Sequence, residues 1–165
     1  MFGFCKGCRR PGVGAIGNLL QAVSMGSQTP VSYSVVLESR PSAAEEVCRR
    51  ILRELEDRGY SSDDIFAVHL ALEEAFINAV KHGNKGDMGK IVNLEYTISA
   101  DKVEIRVVDQ GQGFDLTQVP DPRCDGNLFK PSGRGVLLIQ AYMDEVDYNE
   151  TGNAVRMVRY KRRPV

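Results

Sequence analysis

The chain has 165 residues, 42% of them hydrophobic and 26% charged, and carries a formal net charge of −1. That length suits one domain with a real core, since a domain near 150 residues buries roughly 70% of its unfolded surface. The near-zero charge supplies no global field to attract nucleic acid or an anionic membrane, and no apolar run reaches the ~18 residues that a spanning helix needs.

Residues 1–30 hold glycines at 3, 7, 12, 14, 17 and 26 without a period and read as a flexible leader, with the folded domain over 31–165. Cys5-Lys-Gly-Cys8 has the spacing of half a zinc knuckle, but no second pair completes four ligands. With Cys48 and Cys124 these cysteines form no disulfide framework, and a reducing cytoplasm is the expected setting. Val31 to Ser39 is β-branched and extended, a first strand. Ser42-Ala-Ala-Glu45 matches a capping box, and Val47, Ile51, Leu52 and Leu55 then give a helix an apolar face up to Arg58-Gly59.

The second helix organises the rest. Ile65, Val68, Leu72, Ala75, Phe76 and Ala79 recur at helical spacing, Ser62 is placed to cap the start, Asp63 and Asp64 suit the positive end of the dipole, and Gly83 suits the end. Val92 to Ile98 and Val103 to Val107 alternate as an antiparallel pair reversed at Ser99–Lys102. Residues 109–134 hold four glycines and three prolines and read as a lid loop. Val136 to Met143 is helical by pattern, and Glu145–Tyr148 with Ala154–Lys161 form a hairpin turning at Thr151-Gly-Asn153. The basic residues Arg156, Arg159, Lys161, Arg162 and Arg163 read as a solvated strand edge and tail, without the interleaved aromatics of a nucleic-acid site. Strands and helices in this order predict an α+β fold, a two-layer sandwich with helices covering one face of a mostly antiparallel sheet.

Three stretches carry chemistry. Glu74 and Asn78 lie four apart on one helix face, where a carboxylate and an amide oxygen can share a hard cation or orient a water. Asp109-Gln-Gly-Gln-Gly113 leaves a strand end, and its Gly111 and Gly113 let the backbone approach a flat ligand while Asp109 accepts from an exocyclic amine. Gly133-Arg-Gly135 opens a helix, where free amides and the positive helix end suit phosphate. Each is common alone; their order is specific.

Glu74-x-x-x-Asn78, Asp109-x-Gly-x-Gly, a lid and Gly-x-Gly before a helix resemble the GHKL ATPases, the superfamily of gyrase, histidine kinases and MutL. The match is closer to the bacterial anti-sigma factor serine/threonine-protein kinases. Glu73 to Gly83 is similar to their N box and Asp109 to Phe114 to their G1 box. Pro131 to Ile139 is similar to their G2 box, and Tyr142–Val146 to the segment after it. The resemblance spans about residues 31–161 and implies a Bergerat-type ATP-binding fold. It implies ATP and Mg²⁺, with Asn78 on the metal and Glu74 as general base. Glu73, five residues before Asn78, is the rival base and leaves the shared face. Asp109, Gly111 and Gly113 would frame the adenine, and Gly133, Arg134 and Gly135 would wrap the phosphates. Arg134 either adds a side-chain contact or stands in solvent. His82 either lines the nucleotide site or, the preferred reading, is satisfied locally at the helix end. The implied activity is phosphorylation of an anti-anti-sigma (STAS-type) partner by a homodimeric kinase that also sequesters a sigma factor, with no direct nucleic-acid contact. The alternative is a nucleotide-gated binding module that transfers no phosphate or controls another partner. A sensor histidine kinase fragment is disfavoured, since neither His69 nor His82 lies in a dimerising hairpin.

Overall fold

A computed structural model describes residues 29–113 and 134–162, with the Arg134 side chain excepted. Five strands and three helices appear in the order β1 (Val31–Glu38), α1 (Glu45–Asp57), α2 (Ser62–Asn78), β2 (Ile91–Ile98), β3 (Lys102–Asp109), α3 (Arg134–Tyr142), β4 (Glu145–Tyr148) and β5 (Ala154–Tyr160). The strands form one sheet in the order β1-β2-β3-β5-β4, and all four pairings are antiparallel. The α+β two-layer expectation therefore holds, with the sheet antiparallel throughout the described residues.

Register turns the two-residue period into a core. One inward row crosses the sheet as Val35, Leu94, Val107, Val155 and Tyr148, and the next as Tyr33, Tyr96, Ile105, Met157 and Val146. The central members Leu94, Val107, Ile105 and Met157 are buried, together with Val68, Leu72, Ala75 and Phe76 of α2 and Ile51 and Leu55 of α1. A one-residue slip of β3 would turn Ile105 and Val107 outward, so burial itself fixes the register. The opposite face is polar: Arg156 Nη1 and Nη2 reach Glu104, Glu145 and Asp147 at 2.9 to 3.1 Å, and Arg106 Nη1 reaches Glu95 at 3.3 Å.

Three local expectations need correction. The N-cap of α2 is Ser61, which is extended and accepts from the Asp64 amide at 3.1 Å, so Ser62 is the first helical residue. The Ser42 capping box does not form: Pro41–Ala44 is a 3-10 turn leading into α1, and the Ser42 hydroxyl accepts from Arg40 Nη1 at 3.0 Å. A proline one residue before Ser42 favours that tight turn and takes the serine out of the capping position. Arg159 is buried rather than solvated, with its Nε 2.9 Å from Asp64 Oδ1 and its Nη1 3.1 Å from the Tyr142 carbonyl. Asp64 also accepts from Ser61 Oγ at 2.7 Å and from the Arg162 amide at 3.1 Å. Burial pushes the Asp64 carboxyl up, but the hydrogen bonds from Ser61, Arg162 and Arg159 outweigh it, and the group lies below its ordinary range. This pair ties the start of α2 to β5 and the end of α3.

Candidate functional site

The other end of α2 presents Glu74 and Asn78, both half-buried and one turn apart. The start of α3 stands directly over them. A Cβ built on Gly135 would overlap Glu74 Oε1, with Glu74 Cδ at 2.7 Å and Asn78 Nδ2 at 2.8 Å. Only a residue without a side chain lets the first turn of α3 rest on both groups.

After Asn78 the helix continues as a single π-helical turn, Ala79–Gly83. Such turns add a residue to the helical repeat and swing the following side chains round the axis. Here the swing brings His82 and Gly83 toward the end of β3. A Cβ on Gly83 would overlap the Asp109 carboxylate, so that carboxylate lies flat against the turn. Its Oδ1 accepts from the Gly111 amide at 2.7 Å. Burial pushes the Asp109 carboxyl above its ordinary range, against the opposing effects of the Gly111 amide and the Lys90 charge.

Asparagines hold this strand end from two directions. Asn84 is fully buried; its Nδ2 donates to Ser39 Oγ at 3.1 Å and to the Ile91 carbonyl at 3.0 Å, and its Oδ1 accepts from the Gln110 amide at 2.9 Å. On the far side the Asp109 amide donates to the Asn153 carbonyl at 3.0 Å, and Asn153 Nδ2 donates to the Asp109 carbonyl at 3.2 Å. Gly113 has φ +75° and packs against the Thr151 carbonyl of the same β4–β5 turn.

Between these parts opens a cleft of about 260 Å³, with apolar walls from Ala75, Val107, Val136, Ile139 and Val155. Asn78, Asp109, Gly113 and Gly135 line it. Glu74 faces Gly135 at its edge, and Gly111 packs beneath it against Gly83 and Asp109. Gly133 and the Arg134 side chain lie outside the described residues. Of the two readings of His82, lining the site or sitting satisfied at the helix end, the structure shows it on the cleft wall, within the π turn. Glu73 points the other way, its carboxylate 3.1 Å from His69 Nε2 on the exposed face of α2. Tyr148 forms part of the wall; burial first and the Glu74 charge second push its phenol up to about 12, so it stays neutral.

Sequence reasoning missed Asn84, Asn153 and Tyr148. Asn84 opens a stretch whose composition reads as loop, and Asn153 follows a turn glycine, so neither signalled a buried or bridging role. The assembled cleft is narrow and apolar, with a half-buried carboxylate at one end and a carboxylate, an amide and a helix start at the other. That arrangement suits a flat amine-bearing ring joined to a polyanion.

Residues 37–159 match the family model of the histidine kinase-like ATPase domain. The chain is 36% identical over 109 residues to the serine-protein kinase RsbW of Listeria monocytogenes serovar 1/2a, an alignment covering 62% of this chain and 69% of that protein. It is likewise 36% identical over 111 residues to the serine-protein kinase RsbW of Staphylococcus epidermidis, with the same coverage. A crystal structure of the RsbU and RsbW domains of a Mycobacterium tuberculosis protein superposes with a TM-score of 0.53 at 19% identity, a likeness of fold. It covers 81% of this chain, which spans only 33% of that longer one. The chain therefore belongs to the histidine kinase-like ATPase family, in the branch of the RsbW serine-protein kinases.

Proposed function

We propose that the chain is an ATP-dependent serine/threonine protein kinase and anti-sigma factor, which sequesters a sigma factor and phosphorylates an anti-anti-sigma partner. The observation that carries the site assignment is the convergence of Glu74, Asn78 and Gly135 at one end of a cleft whose other end holds Asp109. Asp109 would accept from the adenine amino group, with Gly111 and Gly113 framing the base pocket. Gly135, and Gly133 and Arg134 before it, would face the phosphates, with amides and the positive helix end favouring their charge.

Magnesium is the metal this family implies, and the donor set fits it in one particular way. Among the described residues no three His, Cys, Asp or Glu side chains cluster into a metal cage. Asn78 supplies a single amide oxygen, which suits an ion that keeps its waters and arrives on the nucleotide phosphates. Bound there, it would neutralise phosphate charge; Asn78 would hold it and orient the phosphates. Glu74 would take the proton from the acceptor hydroxyl, and the apolar cleft walls would keep competing water from the transferring group. The partner brings that hydroxyl, so positioning supplies most of the rate. We place this activity in the cytoplasm and in a homodimer; no described helix is long and apolar enough to cross a membrane.

The test is transfer from γ-labelled ATP to the cognate anti-anti-sigma domain. Glu74→Gln should keep Mg²⁺-dependent ATP binding and lose at least about a hundredfold in transfer, the usual size of a general-base effect. Undiminished transfer would remove Glu74 from the role, and absence of any Mg²⁺-dependent ATP binding would remove the kinase reading altogether.

A further inference from the structure

The β4–β5 turn lies 44 residues from Asp109 in sequence and still contacts it through two backbone-directed bonds. Within that turn Asn149 Nδ2 donates to Thr151 Oγ1 at 2.8 Å and to Asn153 Oδ1 at 2.7 Å, and Thr151 Oγ1 lies 2.6 Å from Asn153 Oδ1. Asn149 Oδ1 accepts from the Ala154 amide at 3.0 Å. These bonds fix the Asn153 amide plane: its oxygen is used inside the turn, which leaves Nδ2 aimed at the Asp109 carbonyl. Both backbone polar groups of Asp109 are thus satisfied by one residue, and Asp109 Oδ1 is taken by Gly111. Asn153 thus grips the two peptide groups that flank the Asp109 Cα, and with them the point from which the carboxylate extends toward Gly111 and Gly83.

We propose that Asn153 is a positioning residue for base selection, holding the Asp109 peptide so that its carboxylate discriminates a purine bearing an exocyclic amine from one bearing a carbonyl. The inference rests on the reading of Asp109 as the acceptor for that amine. Asn153 needs no contact with the ring. It acts because a small rotation of the Asp109 peptide would turn the carboxylate off the amine while leaving the phosphate end of the cleft, formed by Asn78 and Gly135, in place.

The experiment measures dissociation constants of ATP and inosine triphosphate for the full chain, since the two differ at the purine C6 substituent and share the triphosphate. Asn153→Asp keeps the oxygen that Asn149 and Thr151 use and replaces the donor facing the Asp109 carbonyl by an acceptor. The added charge acts on both nucleotides alike, so their affinity ratio isolates the base. We expect N153D to weaken ATP about tenfold and inosine triphosphate less than about threefold, the scale of losing one hydrogen-bonded alignment. Equal weakening of both, or of neither, overturns the proposal. Asp109→Asn is the parallel arm: it should collapse the ratio further, because its Nδ2 would donate to the inosine carbonyl. A collapse in D109N with an unchanged ratio in N153D sinks the Asn153 role alone. An unchanged ratio in D109N sinks the Asp109 reading and the proposal with it. Should N153D not fold, Asn153→Ala removes the donor without adding charge and is held to the same ratio.

Discussion

Two aspartates at opposite ends of the sandwich, Asp64 and Asp109, show what this fold does with a carboxylate. Asp64 is fully buried and accepts from Arg159, Ser61 and the Arg162 amide, and its carboxyl lies below the ordinary range. Asp109 is half-buried, its carboxylate accepts one hydrogen bond among the described residues, from Gly111, and its carboxyl lies above that range. The first carboxylate is saturated and serves the fold. The second is desolvated without being satisfied, the condition in which an incoming donor gains most.

The sharpest way to break this contrast is to remove the saturated partner. Asp64→Ala leaves the buried Arg159 with only its longer pair to Asp144, at 3.5 Å, and should cost about 3 kcal/mol in urea unfolding, the low end for a broken buried pair. A loss under about 1 kcal/mol would mean that water reaches Arg159 and that the pair is not structural. Gly135→Ala comes next: its Cβ overlaps Glu74 Oε1, so either the Glu74 carboxylate turns away or the start of α3 shifts. We expect about 1–3 kcal/mol of destabilisation from overpacking, with phosphotransfer falling further than the stability change alone would produce.

Acid titration separates the two aspartates by sign. A depressed folded-state value means that Asp64 contributes stability above the unfolded value, about 3.9, and that this is lost as pH falls through the lower folded value. Asp64→Asn should therefore flatten the acid limb of the stability curve. Asp109, raised, costs stability once ionised, so Asp109→Asn should melt at the wild-type temperature or above it at pH 7 without nucleotide. A clear drop in that melting temperature would show Asp109 to be a structural partner instead. At the small end, Glu95→Ala removes a pair with Arg106 in which both side chains are 49% exposed, and should stay within about 0.5 kcal/mol.

Much of this was legible in residues. Alternation at Val92 to Ile98 and Val103 to Val107, and the helical period from Ile65 to Ala79, report burial directly, and burial decides the layers. The pairing of Glu74 with Asn78 comes from spacing along one helix. What stayed hidden depends on bonds across long separations. Nothing near Asp64 announces Arg159, 95 residues on, so a dipole-favouring acid was the natural reading of a buried ion pair. Asn84 and Asn153 look like turn formers because asparagine is common in turns; only the tertiary fold shows that their amides meet Gln110 and Asp109. The π turn has no residue signature at all, so spacing alone could not choose between the two readings of His82.

The grip of the β4–β5 turn on β3 also has a consequence during synthesis. The Asp109 wall stays unfinished until Asn153 has been made, and α2 lacks its anchor until Arg159 is added. A ribosome extending this chain at about 5–20 residues per second would thus carry helices and three strands for some seconds before the cleft could close. Nucleotide arriving in that interval would find no base pocket, so ligand binding can reward only the completed sheet.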